Sequence, residues 1–315
     1  HAVTSVNGTT YTYDNNGNLT NNNSWLLSWD YNNRLIQTAS STATSTYKYD
    51  HTTQRVRLDD GSRTTHYPNK YYNVSYLSPF PQPSPSPSPT PNPSPSPTPT
   101  PVGKSKHIYA NGKTIATIDG TGLGGSPNTF INHNDHLGGS SVMSDKNGRL
   151  EQLLDYYPFG SVRIDQRGEN NLNEQRKFSG HEYDGQTSLS YMGARYYPGN
   201  VARFVSQDPA FLAVGNNQEL KQIIKQSLEE YLLDPQEFNS YTYARNNPLA
   251  RIDPTGKASV GAWLLNPIRT GIQVIGAQFG AYALEKGVFD GPRPATAQLL
   301  RHSSSINPGD INAGQ

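Results

Sequence analysis

The 315-residue chain contains no cysteine. That excludes a disulfide framework, a thiolate zinc site and a cysteine nucleophile. Charge is sparse too: Asp, Glu, Lys and Arg make up 16% of the residues, against about 25% in an average soluble domain. The formal net charge of +1 provides no global field for nucleic acid, an anionic membrane or an acidic substrate. Apolar residues amount to only 33%, so solubility must come from Asn, Ser, Thr and Tyr. Gly120-x-Gly122-x-Gly124-Gly125 lacks the Lys-Ser/Thr and helix of a phosphate loop, and no Gly-x-Ser-x-Gly elbow is present. Lys and Arg are dispersed, so no nucleic-acid partner is expected, and no cofactor is implied. The first residue is His1, with no charged segment and apolar core behind it. The chain therefore reads as a processed protein or an excised fragment.

What is present is a repeat. An aromatic–Asp pair recurs as Tyr13-Asp14, Trp29-Asp30 and Tyr49-Asp50. Thr10-Tyr11-Thr12-Tyr13 alternates β-branched and aromatic residues, a strand signal. Asn16-Gly17 permits the positive φ of a tight turn, and Leu19 opens the return strand. Thr46 to Tyr49 and Arg55 to Leu58 repeat this arrangement around a longer turn. A single hairpin is marginal in water, so each must stack on its neighbours.

Residues 79–101 carry Pro at every odd position. Pro fixes φ and donates no N–H, so this segment is expected to be a polyproline II spacer. Residues 103–215 return to strand patterns, with hairpin signals at Asn111-Gly112 and Asn147-Gly148. One amphipathic helix is expected over 218–232, with Leu220, Ile223, Ile224, Leu228 and Tyr231 on one face. Residues 258–290 are apolar and Gly-rich. Their uncharged run, 270–284, falls short of the ~20 residues that span a bilayer. A packed helix is expected there, with membrane contact the alternative.

Three groups of residues resemble the YD-repeat, or RHS-repeat, family and its repeat-associated core domain. The first is the aromatic–Asp repeat. The second is His133-Asn134-Asp135-His136-Leu137-Gly138, followed by Asp155-Tyr156-Tyr157-Pro158-Phe159-Gly160. The third runs from Phe178-Ser179-Gly180-His181-Glu182-Tyr183-Asp184 through Gly193-Ala194-Arg195-Tyr196-Tyr197 and Arg203-Phe204-Val205-Ser206-Gln207-Asp208-Pro209. It ends at Asp253-Pro254-Thr255-Gly256. The resemblance implies a mainly β fold: hairpins spiralling into a shell, a core domain as its plug, and few short helices near the C-terminus. It implies four regions: repeats at 1–77, a linker at 78–103, the core domain at 104–257 and a variable segment at 258–315.

The resemblance also implies a function. The chain is expected to be a non-enzymatic part of a secreted or surface bacterial shell of the polymorphic-toxin type. Its partners would be its own C-terminal effector and upstream shell repeats. Tyr13, Asp14, Trp29, Asp30, Tyr49, Asp50, Asp135, His136, Gly138, Arg195, Tyr196 and Tyr197 are expected to be structural.

Two alternatives stand beside this reading. Some family cores cleave themselves after the Asp-Pro-x-Gly motif with paired carboxylates, which suit acid–base hydrolysis because one can hold a proton while the other activates water. The matching positions are Asp208 and Asp253, with Arg203 to orient them. The chain departs from the family pattern at Lys257, Pro198 and Ala202. In the other alternative, the repeat tyrosines form an exposed stacking surface for glycans or a cell-surface receptor. The His133, Asp135 and His136 cluster is read as structural rather than as a metal site.

Overall fold

The computed structural model describes residues 2–78, 100–120, 127–224, 228–236 and 238–261. The fold is mainly β. A short hairpin, β1 (Ser5–Val6) and β2 (Thr9–Thr10), precedes one antiparallel sheet of fourteen strands in strict chain order. These are β3 (Thr12–Tyr13), β4 (Leu19–Asn21), β5 (Leu26–Trp29), β6 (Leu35–Ala39), β7 (Thr44–Tyr49), β8 (Arg55–Asp59) and β9 (Arg63–Asn69). They continue as β10 (Tyr72–Leu77), β11 (Gly103–Ala110), β12 (Lys113–Gly120), β13 (Asn128–Asn134), β14 (Ser140–Ser144), β15 (Leu150–Tyr156) and β16 (Val162–Arg167). Sequential hairpins need only short connections, which is why a repeat of weak units suffices to build the sheet.

The Asp of each aromatic–Asp pair forms a turn. Asp14 Oδ1 accepts the N–H groups of Asn16 and Asn18 at 2.9 and 2.8 Å. Asp30 Oδ1 accepts those of Asn32 and Arg34, and Asp50 Oδ1 those of Thr52 and Gln54. Asp135 and Asp145 do the same for Leu137 and Gly139, and for Asn147 and Arg149. The third residue after each Asp takes a positive φ: Gly17, Asn33, Thr53, Gly138 and Gly148. Thr53 is β-branched and resists that conformation, so side-chain acceptance of the turn amides matters most at Asp50. The Thr52 hydroxyl, bonded to the same oxygen, also holds the Asp50 carboxyl below its ordinary pKa. Tyr157 starts a turn of the same backbone pattern, with its N–H on the Ser161 carbonyl and the Gly160 N–H on its own.

The aromatic partner ties one repeat to another. Trp29 Nε1 donates to the Leu19 carbonyl at 2.7 Å, and the Tyr49 hydroxyl to the Leu35 carbonyl at 2.7 Å. The Tyr156 hydroxyl donates to the Ser140 carbonyl at 2.9 Å. Each acceptor stands five positions after a turn aspartate, from 14 to 19, 30 to 35 and 135 to 140. Amphipathic rings serve here because the apolar body packs inward while the polar tip satisfies a carbonyl.

The sheet runs unbroken across the expected linker. Val74 of β10 pairs with Lys104 of β11, and the Val102 N–H donates to the Ser75 carbonyl. The Pro-rich segment is thus inserted in the connection between two adjacent strands; residues 79–99 themselves lie outside the described residues. The expected helix over 218–232 appears as α2 (Asn217–Ile224) and α3 (Leu228–Leu232), after a short α1 (Pro209–Leu212). Residues 262–315, which hold most of the apolar stretch, also lie outside the described residues. Among the described residues no helix is long and apolar enough to cross a membrane.

Residues after β16 pack on the sheet. They include a three-stranded unit, β17 (Glu182–Asp184), β18 (Leu189–Tyr191) and β19 (Tyr196–Pro198). Leu189, Tyr196 and Val205 join Tyr11, Leu19, Leu27, Leu35 and Tyr47 in one apolar cluster. A second cluster joins Leu137, from the turn after β13, to Phe178, Met192, Tyr197, Phe204, Tyr243 and Ile252 of the packed region.

Much of the docking is polar. Thr117 donates to Glu174 at 2.7 Å, Asn73 to Gln175 at 3.1 Å, and the Glu174 N–H to Gln152 at 2.8 Å. Arg55 pairs with Asp184 at 2.6 Å, with both side chains 5% exposed or less. Its guanidinium also sits 4.6 Å from the Tyr191 ring centroid. Paired polar groups of this kind explain how a chain so poor in apolar residues can bury an interface, although Arg55 Nη2 itself is left without a hydrogen bond.

Candidate functional site

Arg195 is the hub of the packed region. It follows β18 by a tight turn, and its side chain is 2% exposed. One terminal nitrogen, Nη2, bonds Asp208 Oδ2 at 2.7 Å and Asp253 Oδ2 at 3.0 Å. Nη1 donates to the Ser240 carbonyl at 3.0 Å, and Nε to the Gly256 carbonyl at 2.5 Å. The guanidinium carbon lies 3.5 Å from the Phe204 ring centroid. A planar cation with five donors suits this task, since its three nitrogens reach four acceptors at once.

Each partner has a second duty. Asp208 caps α1, its Oδ1 accepting the Ala210 N–H at 2.8 Å. Burial pushes the Asp208 carboxyl up to about 6, against the pull of Arg195. Asp253 Oδ1 accepts three amides: Thr255 at 3.3 Å and Lys257 and Ala258 at 3.2 Å. His181 Nε2 bonds the Asp253 carbonyl at 3.0 Å. Complete burial drives the His181 imidazole down to about 4, so it is neutral at pH 7. Gly256 takes φ +69°, and a Cβ there would lie 2.5 Å from the Met192 carbonyl. The Ala194 N–H donates to the Thr255 carbonyl at 2.9 Å. Segment 253–258 is therefore held by its side chain, its amides and its carbonyls.

The expected site residues separate into two groups. Asp208 and Asp253 come together, and the cation between them is Arg195. Arg203 lies apart, donating to Thr242 at 3.2 Å and Asn246 at 2.7 Å. Arg203 bridges to Thr242 while Asp208 caps α1, so the two side chains meet different partners.

Asp135 and Gly138 form one of the sheet turns, and His136 bonds the Leu249 carbonyl at 2.9 Å. His133 bonds Ser144 at 3.1 Å. Among the described residues no group of three or more His, Asp or Glu converges as a metal site would require. The rings of the aromatic–Asp pairs, Tyr13, Trp29 and Tyr49, pack against the apolar cluster, whereas Tyr31 and Tyr71 are exposed. Tyr49 and Tyr196 share a hydroxyl–hydroxyl bond at 2.9 Å, and the Tyr197 hydroxyl donates to the Phe159 carbonyl. Sequence reasoning assigned no role to His181, Arg55 or Asp184. Alternation in Arg55-Val56-Arg57-Leu58 places Arg55 opposite the apolar Val56 and Leu58, so its burial was not legible in its strand.

No family model matches the chain. The tRNA3(Ser)-specific nuclease WapA of Bacillus spizizenii is 25% identical over 283 residues, which is 89% of this chain and 10% of that protein. Toxin subunit YenC2 of Yersinia entomophaga is 30% identical over 149 residues, 44% of this chain and 13% of that protein. The crystal structure of TcdB2-TccC3-Cdc42 matches with a TM-score of 0.54 at 18% identity, over 82% of this chain and 14% of that one. The chain spans about a tenth of the length of the curated relatives it matches. Its mainly β fold is thus one also built by the TcdB2-TccC3 chain, and its sequence relatives include a nuclease and a toxin subunit.

Proposed function

We propose that this chain is the terminal part of an RHS/YD-type shell, in which the residues after β16 form a non-enzymatic plug. The whole protein would be secreted or surface-exposed, and the plug would hold a C-terminal effector at its exit point. The observation that carries this reading is the Arg195 hub. A cation buried between two carboxylates and two carbonyls anchors segment 253–258, close to the end of the described residues, inside the packed region. The fold shared with TcdB2-TccC3 and the likeness to a toxin subunit support it.

A reporter domain fused after Gln315 and limited proteolysis test the proposal. The body 2–261 is expected to resist while the reporter is released by cuts beyond residue 261. Digestion of the body at the same rate as the tail overturns it.

Self-cleavage is a second reading, favoured by one specific arrangement. The Gly256 carbonyl faces Arg195, while the Lys257 and Ala258 amides face Asp253. Asp208, with a pKa near 6, can hold a proton close to neutral pH beside the Asp253 carboxyl group. Mass spectrometry of the purified chain is expected to show a break between Gly256 and Ala258, abolished by Asp253→Asn. A chain intact over days removes this reading.

A further inference from the structure

Among the described residues the last strand of the sheet, β16, pairs with β15 alone, leaving its other edge unpaired in the sheet. Beside it lies a cleft of about 260 Å³, walled by Asp165 and Arg167 of β16, by Asn173 to Gln175 and Lys177, and by Tyr183. It is separate from the Arg195 hub, and none of the hub residues lines it.

The charges in this cleft cancel. Lys177 Nζ, with its side chain only 5% exposed, bonds Asp165 Oδ2 at 2.9 Å, and Arg167 reaches the same oxygen at 3.5 Å. Glu174 is saturated elsewhere, by Thr117 and the Arg176 N–H. Two cations therefore face two carboxylates. Such a wall gives no net attraction to a phosphate, a polyanion or a polycation.

The wall does offer unspent hydrogen-bonding capacity. Neither the Asn173 amide nor the Tyr183 hydroxyl bonds any described residue, and Arg167 meets Asp165 only at the limit of hydrogen-bond distance. Asn173 brings donors and an acceptor, Arg167 brings donors, and the Tyr183 hydroxyl is both. The Tyr183 ring adds one flat apolar surface, with Lys177 Nζ 5.0 Å from its centroid.

We propose that this cleft binds a neutral sugar ring. A pyranose presents paired donors and acceptors around its rim and an apolar C–H face. It carries no charge to conflict with a wall of net zero charge. The volume lies just below the ~300–1,000 Å³ of pockets for drug-sized ligands, which suits one ring rather than an oligosaccharide buried along its length. No repeat tyrosine lines the cleft. This inference does not rest on the plug reading, because a cleft of this kind works on a scaffold of any purpose.

Saturation-transfer NMR on the full chain tests it, with glucose, galactose and N-acetylglucosamine as probes and inorganic phosphate as the charged comparison. At least one sugar is expected to bind with millimolar or better affinity. Asn173→Ala and Arg167→Ala, at exposed positions, are each expected to weaken it about 3- to 10-fold, the cost of one or two lost hydrogen bonds. The affinity should not change between low and high salt, as befits an uncharged ligand. Unchanged thermal midpoints would show that both variants fold. No sugar bound at about 10 mM, phosphate bound more tightly than every sugar, or sugar binding indifferent to both variants would each overturn the proposal.

Discussion

Replacing Asp208 by Asn is expected to stabilise the protein at neutral pH and to lose that advantage in acid. Two effects compete at this carboxylate. Burial penalises its charge, and Arg195 at 2.7 Å rewards it. Burial wins, because the folded-state pKa rises from 3.8 to about 6. A rise of roughly two units corresponds to about 3 kcal/mol of strain carried by the ionised form at pH 7.

The sign follows from linkage. The unfolded carboxyl titrates near 3.8 and the folded one near 6, so the folded state takes up a proton first as pH falls. Wild-type stability from this group therefore rises between pH 6 and pH 4. Asn carries no charge at any pH and keeps an acceptor for the Ala210 N–H, but its Nδ2 takes the place of the oxygen that met Arg195 Nη2, which offsets part of the gain. Arg195 retains Asp253 and two carbonyls. The gap between variant and wild type should thus be at most about 3 kcal/mol at pH 7 and should shrink as pH falls toward 4.

His181 titrates in the opposite sense. Its folded pKa of about 4 lies below the ordinary 6.5, so stability from this group falls as pH drops through that window. The effect is present in both proteins and cancels in the comparison. Urea denaturation followed by tryptophan fluorescence at several pH values measures the gap. A variant less stable than wild type at pH 7, with a difference that does not close in acid, would refute the reasoning and show that the Arg195 attraction outweighs burial.

Three further outcomes are expected. Arg55→Met leaves the Asp184 carboxylate buried without its cation and should cost about 3–5 kcal/mol by the same denaturation assay, whereas Arg55→Met combined with Asp184→Leu should recover much of the loss. Gly256→Ala forces a Cβ onto the Met192 carbonyl in a positive-φ turn, so hydrogen exchange over residues 192–195 and 253–258 should accelerate together. Asp30→Ala removes the acceptor of two turn amides and of Arg34, and should cost about 1–2 kcal/mol, while Asp30→Asn, which keeps one acceptor oxygen, should cost less.

Much of the sheet was legible because its information is local. Asn111-Gly112 forms the predicted two-residue hairpin turn, Ala110 pairing with Lys113 across it. The Asp of each aromatic–Asp pair bonds amides two and four residues away, so the turn is written within five positions. The packed region is different. Arg195 meets Asp253 across 58 positions and Arg55 meets Asp184 across 129. Nothing in the neighbourhood of either arginine specifies which carboxylate it finds. Arg203, nearer to Asp208 in sequence than Arg195 is, went elsewhere for the same reason. Whether a tyrosine of an alternating strand faces core or solvent likewise depends on what lies against the sheet.

The amino-acid sequence alone determined that this chain forms hairpins in series, with aspartates in the turns and aromatic residues as the ties. Those outcomes follow from short-range hydrogen bonding and side-chain alternation. Only the tertiary structure decided that the two strands flanking the Pro-rich segment pair with each other. It alone placed one buried guanidinium between Asp208, Asp253 and the Gly256 carbonyl, and left an electroneutral polar cleft beside the final strand. Each of these depends on chain segments far apart in sequence being brought into contact, where burial sets the balance between desolvation and charge pairing.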